Sequence, residues 1–124
     1  MHNFPFQCGT NGDNPLGSVV ELHEVREGDV ALLFTDGYHD NVYDSGMNHC
    51  IEEYMEGGIV TSLSHAADCA ARKAYWLGKN QNFKSPWIAD MQRAYEAGEE
   101  LPNPVPPNFK FVGGKEDDIT VTVA

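Results

Sequence analysis

Positive charge is scarce in this chain. Its 124 residues contain 8 Lys and Arg against 19 Asp and Glu, which gives a formal net charge of −11 at pH 7. Such a surface repels nucleic-acid phosphates and anionic lipid, so we expect neither nucleic acid nor membrane as a partner. The segment 27–71 alone contains nine acids and no Lys or Arg. This block suits either a solvated acidic face or a site that attracts hard cations.

Long apolar runs are also missing. No run approaches the roughly 20 residues of a membrane-spanning helix, and the opening residues MHNFPFQ lack the basic and apolar stretches of a signal peptide. The chain is nevertheless 41% hydrophobic, which is enough to build the core of one ordinary domain. Met1 runs directly into sequence typical of a domain interior. We therefore expect an intracellular fragment of a longer gene product.

Cysteine is sparse, and no CxxC pair is present. Cys8, Cys50 and Cys69 are odd in number and widely spaced, which argues against a disulfide framework and for a reducing compartment. We interpret each as a small core residue. A zinc site formed by His39, His49 and Cys50 would have no standard ligand spacing, so it is the weaker interpretation.

The strongest fold signal is the segment 28–40, GDVALLFTDGYHD. Its five consecutive apolar residues, 30–34, predict a strand over 29–35 that is buried on both faces. Strict alternation of apolar and polar residues predicts two further strands, over 18–25 and 119–124.

Three helices are predicted from apolar spacing and from residues that start or stop helices. They cover 48–56, ended by Gly57-Gly58, then 62–77, ended by Gly78, and finally 86–97, started by Ser85-Pro86. The elements indicate an α+β fold, an antiparallel sheet with helices packed on it. Three strands leave open sheet edges, which favour self-association.

Two acidic turns lie at the ends of predicted strands. Asp36 directly follows the strand over 29–35, and Asp117 precedes the strand over 119–124. If these strands are antiparallel neighbours, both carboxylates lie at one edge of the sheet. Mg²⁺ and Mn²⁺ prefer carboxylate oxygens together with water. Each turn alone is more typical of a solvated loop, but the pair favours a metal site.

These two motifs resemble those of the metal-dependent type 2C protein phosphatases, the PPM family. GDVALLFTDGYHDN (28–41) is similar to the family's strand-D-G-x-x-D motif, and GGKEDDITVTVA (113–124) to its later G-x-x-D-[DN]-hydrophobic-[ST] motif. FPFQ (4–7), NFKSP (82–86) and GGKEDDIT are similar to the compact mitochondrial and plastid branch. The resemblance covers nearly the whole chain but only the C-terminal half of the family's catalytic domain.

The resemblance implies a fold, an activity and a site. Residues 1–124 would form the C-terminal portion of an α-β-β-α sandwich that hydrolyses phosphoserine and phosphothreonine with water activated by two Mn²⁺ or Mg²⁺ ions. Asp36 and Asp117 match the family's two C-terminal metal-binding aspartates. Asp40 matches the acid of an additional, weaker metal, while Asp118 and Gly37 correspond to residues that support the ligands.

Half of the family's site has no counterpart here. Asp13 lacks the strand that flanks the family's N-terminal D-G motif, and Arg26 lies on the wrong turn to be its phosphate-binding arginine. We therefore expect a phosphoprotein phosphatase fragment with half of the metal ligands, inactive alone. The alternatives are a non-catalytic phosphatase-like module that binds a basic partner and a divalent-cation-binding domain without hydrolysis.

Overall fold

A computed structural model describes residue 9 and the ranges 12–101 and 103–124. The FPFQ segment and Cys8 lie outside these residues. A short 3-10 turn at Pro15–Gly17 precedes the regular elements. These are, in chain order, β1 (Leu32–Phe34), α1 (Asp36–His39), α2 (Asp44–Met47), α3 (His49–Glu53), β2 (Met55–Glu56), β3 (Ile59–Val60), α4 (Leu63–Lys79), α5 (Pro86–Glu96) and β4 (Val121–Val123). The predicted α+β class, with antiparallel pairing and packed helices, is confirmed.

The strand pair β1–β4 organises the fold. It is antiparallel, with Leu32 opposite Val123 and Phe34 opposite Val121. Backbone hydrogen bonds extend the ladder in both directions, to Ala31 with Ala124 and to Thr35 with Thr120. The regular strands are shorter than the predicted 29–35 and 119–124. The end of the first nevertheless lies beside the start of the second, which is the pairing that the metal site requires.

Helix α4 covers one face of this strand pair. Its small residues Ala66, Ala70 and Ala74 are buried, and the helix contacts β4 and α1. Small side chains let a helix approach a sheet closely, and Tyr38 and Val42 fill the core beside it. No helix in the described ranges is both long and apolar enough to cross a membrane.

The predicted strand over 18–25 is wrong. Residues 18–25 have no regular secondary structure, and Val20 and Leu22 are 86% and 99% exposed. A strand needs a neighbour for its backbone hydrogen bonds, and β1 and β4 pair only with each other among the described residues. Burial of β1 on both faces is also wrong, because Leu33 is 74% exposed. Its outward face has no described layer over it.

The first predicted helix, 48–56, ends early. Helix α3 stops at Glu53, and Gly57-Gly58 forms the turn of the β2–β3 hairpin instead of a helix cap. Both glycines have positive φ, 59° and 84°, the backbone that a tight hairpin turn requires. Gly78 likewise lies inside α4, whereas the predicted 62–77 helix ends before it. Helix α5 begins where predicted, with the Ser85 hydroxyl accepting a hydrogen bond from the Ile88 amide.

The expectation of unpaired cysteines is also wrong for two of the three. Cys50 and Cys69 form a disulfide between α3 and α4. Sequence spacing did not indicate this pairing, because the two residues meet only when α3 packs against α4. The bond also occupies the sulfur of the zinc site considered for His39, His49 and Cys50, which removes that interpretation.

Candidate metal centre

The two acidic turns are joined through the end of the β1–β4 ladder. The Thr35 hydroxyl donates to the Asp118 carbonyl at 2.8 Å and accepts from the Thr120 amide at 3.0 Å. Asp36 begins α1 immediately after this threonine. Asp117 lies in the loop that leads into β4, where its carboxylate accepts from the Asp118 amide at 2.9 Å. One side chain therefore fixes both acid-bearing segments.

Three carboxylates converge at this point. Asp36, Asp40 and Asp117 each offer an oxygen, and these oxygens all lie within 4.8 Å of one another. Asp36 and Asp117 are exposed, while Asp40 is half-buried. No hydrogen-bond or ion-pair partner of the Asp36 carboxylate is found among the described residues. The cluster is thus open to solvent and has ligand atoms to spare.

Gly37 is required by the close approach of the two segments. A Cβ built on Gly37 would lie 2.5 Å from the carbonyl oxygen of Asp118 and 3.1 Å from the Cβ of Asp117. The first distance is too short for any Cβ contact and the second is tight, so any other residue here would force the segments to shift. The contribution of Asp118 comes through its backbone, and its carboxylate is not part of the cluster.

A buried asparagine, which sequence reasoning missed, hydrogen-bonds both acid-bearing segments. Asn41 is fully buried. Its amide nitrogen donates to the carbonyls of Gly37 at 2.9 Å and Lys115 at 2.7 Å, and its oxygen accepts from the Lys115 amide at 2.9 Å. Burial of this amide costs little because its polar atoms are paired. A polar residue directly after Asp40 carries no periodic signal that would reveal this role.

The loop before β4 is also held from its outer side. The Gly114 amide donates to the Asn80 carbonyl at 3.0 Å, and the Gly113 amide donates to the Phe83 carbonyl at 2.6 Å. The Ser85 amide donates back to the Gly113 carbonyl at 3.3 Å. The NFKSP segment therefore braces the loop that carries Asp117.

Lys115 is the second functional residue that sequence reasoning missed. Its ammonium forms ion pairs with Asp40 and, at 2.9 Å, with Asp117. Burial lowers the pKa of Lys115, but hydrogen bonds to the two carboxylates outweigh it and the pKa is raised overall. The hydrogen bond from Lys115 in turn lowers the pKa of Asp117, helped by the Asp118 amide. In the sequence, the position of Lys115 as the one base in an acidic segment was the available signal of this role.

The donor set fits a divalent cation. Carboxylate oxygens are the ligands that Mg²⁺, Mn²⁺ and Ca²⁺ favour. Two oxygens bound to one Mg²⁺ are at most about 4.2 Å apart, so a spread of 4.8 Å needs only a small contraction. Three negative charges against one ammonium leave the cluster negative overall.

Arg26 does not join this centre. It lies in the turn before β1 and lines a surface pocket with Ala31 and Ala124. Those two alanines mark the opposite end of the ladder from Thr35 and Thr120. The structure thus agrees with the expectation that Arg26 is misplaced for binding phosphate beside the carboxylates.

A carboxylate cluster at the end of an antiparallel strand pair in an α+β fold defines a candidate divalent-metal centre. No protein-family model matches the chain. Across its whole length, however, it is 30% identical to "Probable protein phosphatase 2C 55" of Arabidopsis thaliana. It is also 30% identical, over 90% of its length, to "Protein phosphatase PTC7 homolog fig" of Drosophila mojavensis. The chain is thus similar to a part of each of these type 2C protein phosphatases.

A solved structure shows the same relationship. The X-ray structure of the photosystem II phosphatase PBCP superposes with a TM-score of 0.71 and 28% sequence identity over 94% of this chain. The match spans only 43% of the PBCP chain, 24% of the Arabidopsis relative and 32% of the Drosophila relative. The chain therefore corresponds to a part of the length of each relative.

Proposed function

We propose that this chain is the C-terminal portion of a metal-dependent protein serine/threonine phosphatase. The observation that carries the proposal is the convergence of Asp36, Asp40 and Asp117 at the end of the β1–β4 ladder, in a chain similar to type 2C protein phosphatases. In this function Asp36 and Asp117 are metal ligands. Asp40 is a ligand of a further, weaker ion, and the substrate is a phosphoprotein.

The residues of this chain would position the metal rather than perform acid–base chemistry. Bound Mn²⁺ or Mg²⁺ lowers the pKa of a coordinated water and neutralises charge on the phosphoryl oxygens. Thr35, Asn41 and Gly37 hold the acid-bearing segments in place through backbone contacts, so these three residues occupy none of the carboxylate oxygens. Because the chain spans only part of its relatives, we infer that the remaining ligands and the phosphate-binding group come from outside it.

The first test measures Mn²⁺ binding to the purified chain by calorimetry. We expect D36N and D117N each to weaken binding by at least about tenfold, since each removes one charged ligand. The matched control is E56Q, which removes a charge from an exposed position in β2. Equal loss in E56Q would mean that the ion is held by the general acidic surface, and no loss in D36N or D117N would refute the assigned ligands.

The second test measures hydrolysis of a phosphoserine peptide. We expect no turnover by the chain alone with Mn²⁺. Turnover should appear after co-expression with the part of the Arabidopsis relative that this chain does not match, and D36N should abolish it. Robust Asp36-dependent turnover by the chain alone would refute the half-site proposal. Metal binding without turnover in the co-expressed complex would favour the cation-binding domain. Absence of both metal binding and turnover would favour the interaction module.

We also propose a mitochondrial or plastid location for the whole protein. The support is the match to PBCP, named as a photosystem II phosphatase, together with the sequence likeness to the compact branch of the family. Relatives from both plants and flies leave the choice between the two organelles open. Expression of the complete gene with a C-terminal fluorescent fusion tests this, and a diffuse cytosolic signal would contradict it.

A further inference from the structure

We propose that Lys115 is a built-in counter-ion that occupies the place of the metal and must swing out before a divalent cation can bind. The inference rests on the proposed metal site. It assigns Lys115 a competing role that lowers the apparent metal affinity of the chain. The specificity of the site then depends on how well a cation displaces an ammonium.

The first observation is where the ammonium lies. The ammonium nitrogen of Lys115 forms ion pairs with both Asp40 and Asp117, which belong to the three-carboxylate cluster. Lys115 therefore binds two of the three carboxylates that a metal would need. A divalent cation and an ammonium bound to the same carboxylates would repel each other at close range.

The second observation is that the backbone of Lys115 is held in place, whereas its side chain is a flexible chain that reaches solvent. Asn41 holds both the amide and the carbonyl of Lys115. The side chain is 24% exposed, so part of it already borders solvent. The ring centroid of Trp87 lies 5.9 Å from the ammonium and offers it an aromatic face. Displacement thus requires only rotation of a flexible four-carbon chain.

The third observation is the charge balance of the cluster without metal. Three carboxylates within 4.8 Å of one another repel, and within the described part of the chain Lys115 is the base that contacts two of them, Asp40 and Asp117. The Lys115 ammonium offsets this repulsion and keeps the carboxylates close together in the absence of metal. It also lowers apparent affinity, because only the fraction of molecules with Lys115 displaced can bind.

The test titrates Mn²⁺ alone into the purified chain and three variants. In K115M, which keeps the bulk and removes the charge, we expect binding at least about tenfold tighter than wild type, because two charge-assisted hydrogen bonds no longer compete. K115R keeps a cation and should bind no tighter than wild type. K110M removes a charge from an exposed position and should change affinity by less than about twofold.

The outcomes separate this inference from the metal site itself. If K115M binds no tighter than K110M while D36N still weakens binding, Lys115 is a supporting residue and the inference fails although the site stands. If no variant binds Mn²⁺, the inference and the metal site both fail. Tighter binding by K115M upholds the inference even if the reconstituted complex proves to have no phosphatase activity.

A second measurement on the wild-type chain covers the case in which K115M does not fold. Lysine acetylation by a limiting amine-reactive reagent is mapped by mass spectrometry with and without saturating Mn²⁺. Displacement of the Lys115 side chain by Mn²⁺ should raise its labelling by at least about threefold, because the amine would lose its ion pairs with two carboxylates and become exposed to solvent. Labelling of Lys110 should stay unchanged. Unchanged or reduced labelling of Lys115 at saturating Mn²⁺ would overturn the proposal.

Discussion

At the residue scale, the geometry of the centre depends most on a side chain that cannot itself bind metal. Asn41 is fully buried in the segment after β1, and it makes two hydrogen bonds to Lys115 in the loop before β4 and one to Gly37 in its own segment. Removal of such an amide leaves the carbonyls of Gly37 and Lys115 and the Lys115 amide without these partners. An unpaired buried polar group costs more than a lost surface hydrogen bond.

We therefore predict that N41A destabilises the chain by about 2–3 kcal/mol. Urea unfolding monitored by circular dichroism measures the change. N82A is the matched control, because Asn82 is exposed, and it should change stability by less than about 0.5 kcal/mol. Similar stability of N41A and N82A would show that the buried amide does not hold the two segments together.

The ion pairs of Lys115 predict a pH dependence in the metal-free chain. The pKa of Asp117 is lowered by folding, so its contribution is complete above the ordinary aspartate value of 3.8 and disappears as pH falls through the folded-state pKa. The pKa of Lys115 is raised, so its contribution is complete below the ordinary lysine value of 10.5 and disappears as pH rises through the folded-state pKa.

We expect melting temperatures, measured with EDTA present, to separate wild type from K115M in the window between these values. The difference should shrink at more acidic and more alkaline pH. K110M should follow wild type throughout, because Lys110 is exposed. A gap between wild type and K115M that is constant across pH would mean that the lysine stabilises by packing alone.

At the element scale, local patterns predicted well where the chain supplies its own partners. The helices predicted over 62–77 and 86–97 correspond to α4 and α5. The apolar face of α4 has β4 and α1 to pack on. The alternation over 119–124 also holds, with Val123 buried and Thr122 exposed. The same kind of alternation failed over 18–25, where no described strand lies alongside. A pattern reveals a preference for a strand but not whether a neighbour exists.

The residues of the site also fall into those that the sequence identified and those that it missed. Position at the ends of predicted strands singled out Asp36 and Asp117, but only the antiparallel pairing of β1 with β4 puts both at one edge of the sheet. Asn41 and Lys115 stayed hidden because their roles depend on contacts 74 residues apart in sequence. The Cys50–Cys69 bond was missed for the same reason, because only the packing of α3 on α4 brings the sulfurs together.

This crosslink predicts a redox-dependent stability at the element scale. The two cysteines are 19 residues apart, and closing a loop of that size stabilises by about 3 kcal/mol in the chain-entropy model. In a C8S background, a non-thiol reductant should lower the urea midpoint, whereas C8S/C50A/C69A should not respond to it. If the oxidised C8S protein already shows two free thiols, the crosslink is absent and the expectation of unpaired cysteines was right.

At the scale of the whole molecule, several of the most exposed apolar side chains lie in one segment. Val19, Val20, Leu22 and Val25 are each at least 79% exposed, and Leu33 on the outward face of β1 is 74% exposed. Clustered exposed apolar residues usually mark an interface. The chain covers less than half of the PBCP structure, so this surface suits the sheet that would complete the proposed sandwich.

The exposed segment 18–25 predicts self-association of the isolated chain. Apolar strand-forming residues without a partner pair with other copies, and two-stranded sheets leave edges that allow it. We expect V20T/L22T to reduce the oligomer fraction in sedimentation velocity while changing unfolding free energy by less than about 0.5 kcal/mol, since neither side chain is buried. L16T, at a 90% exposed position outside the segment, should leave the oligomer fraction unchanged. A wild-type chain that stays monomeric up to high concentration would show that segment 18–25 is not an association surface, because its apolar side chains would then be tolerated in water.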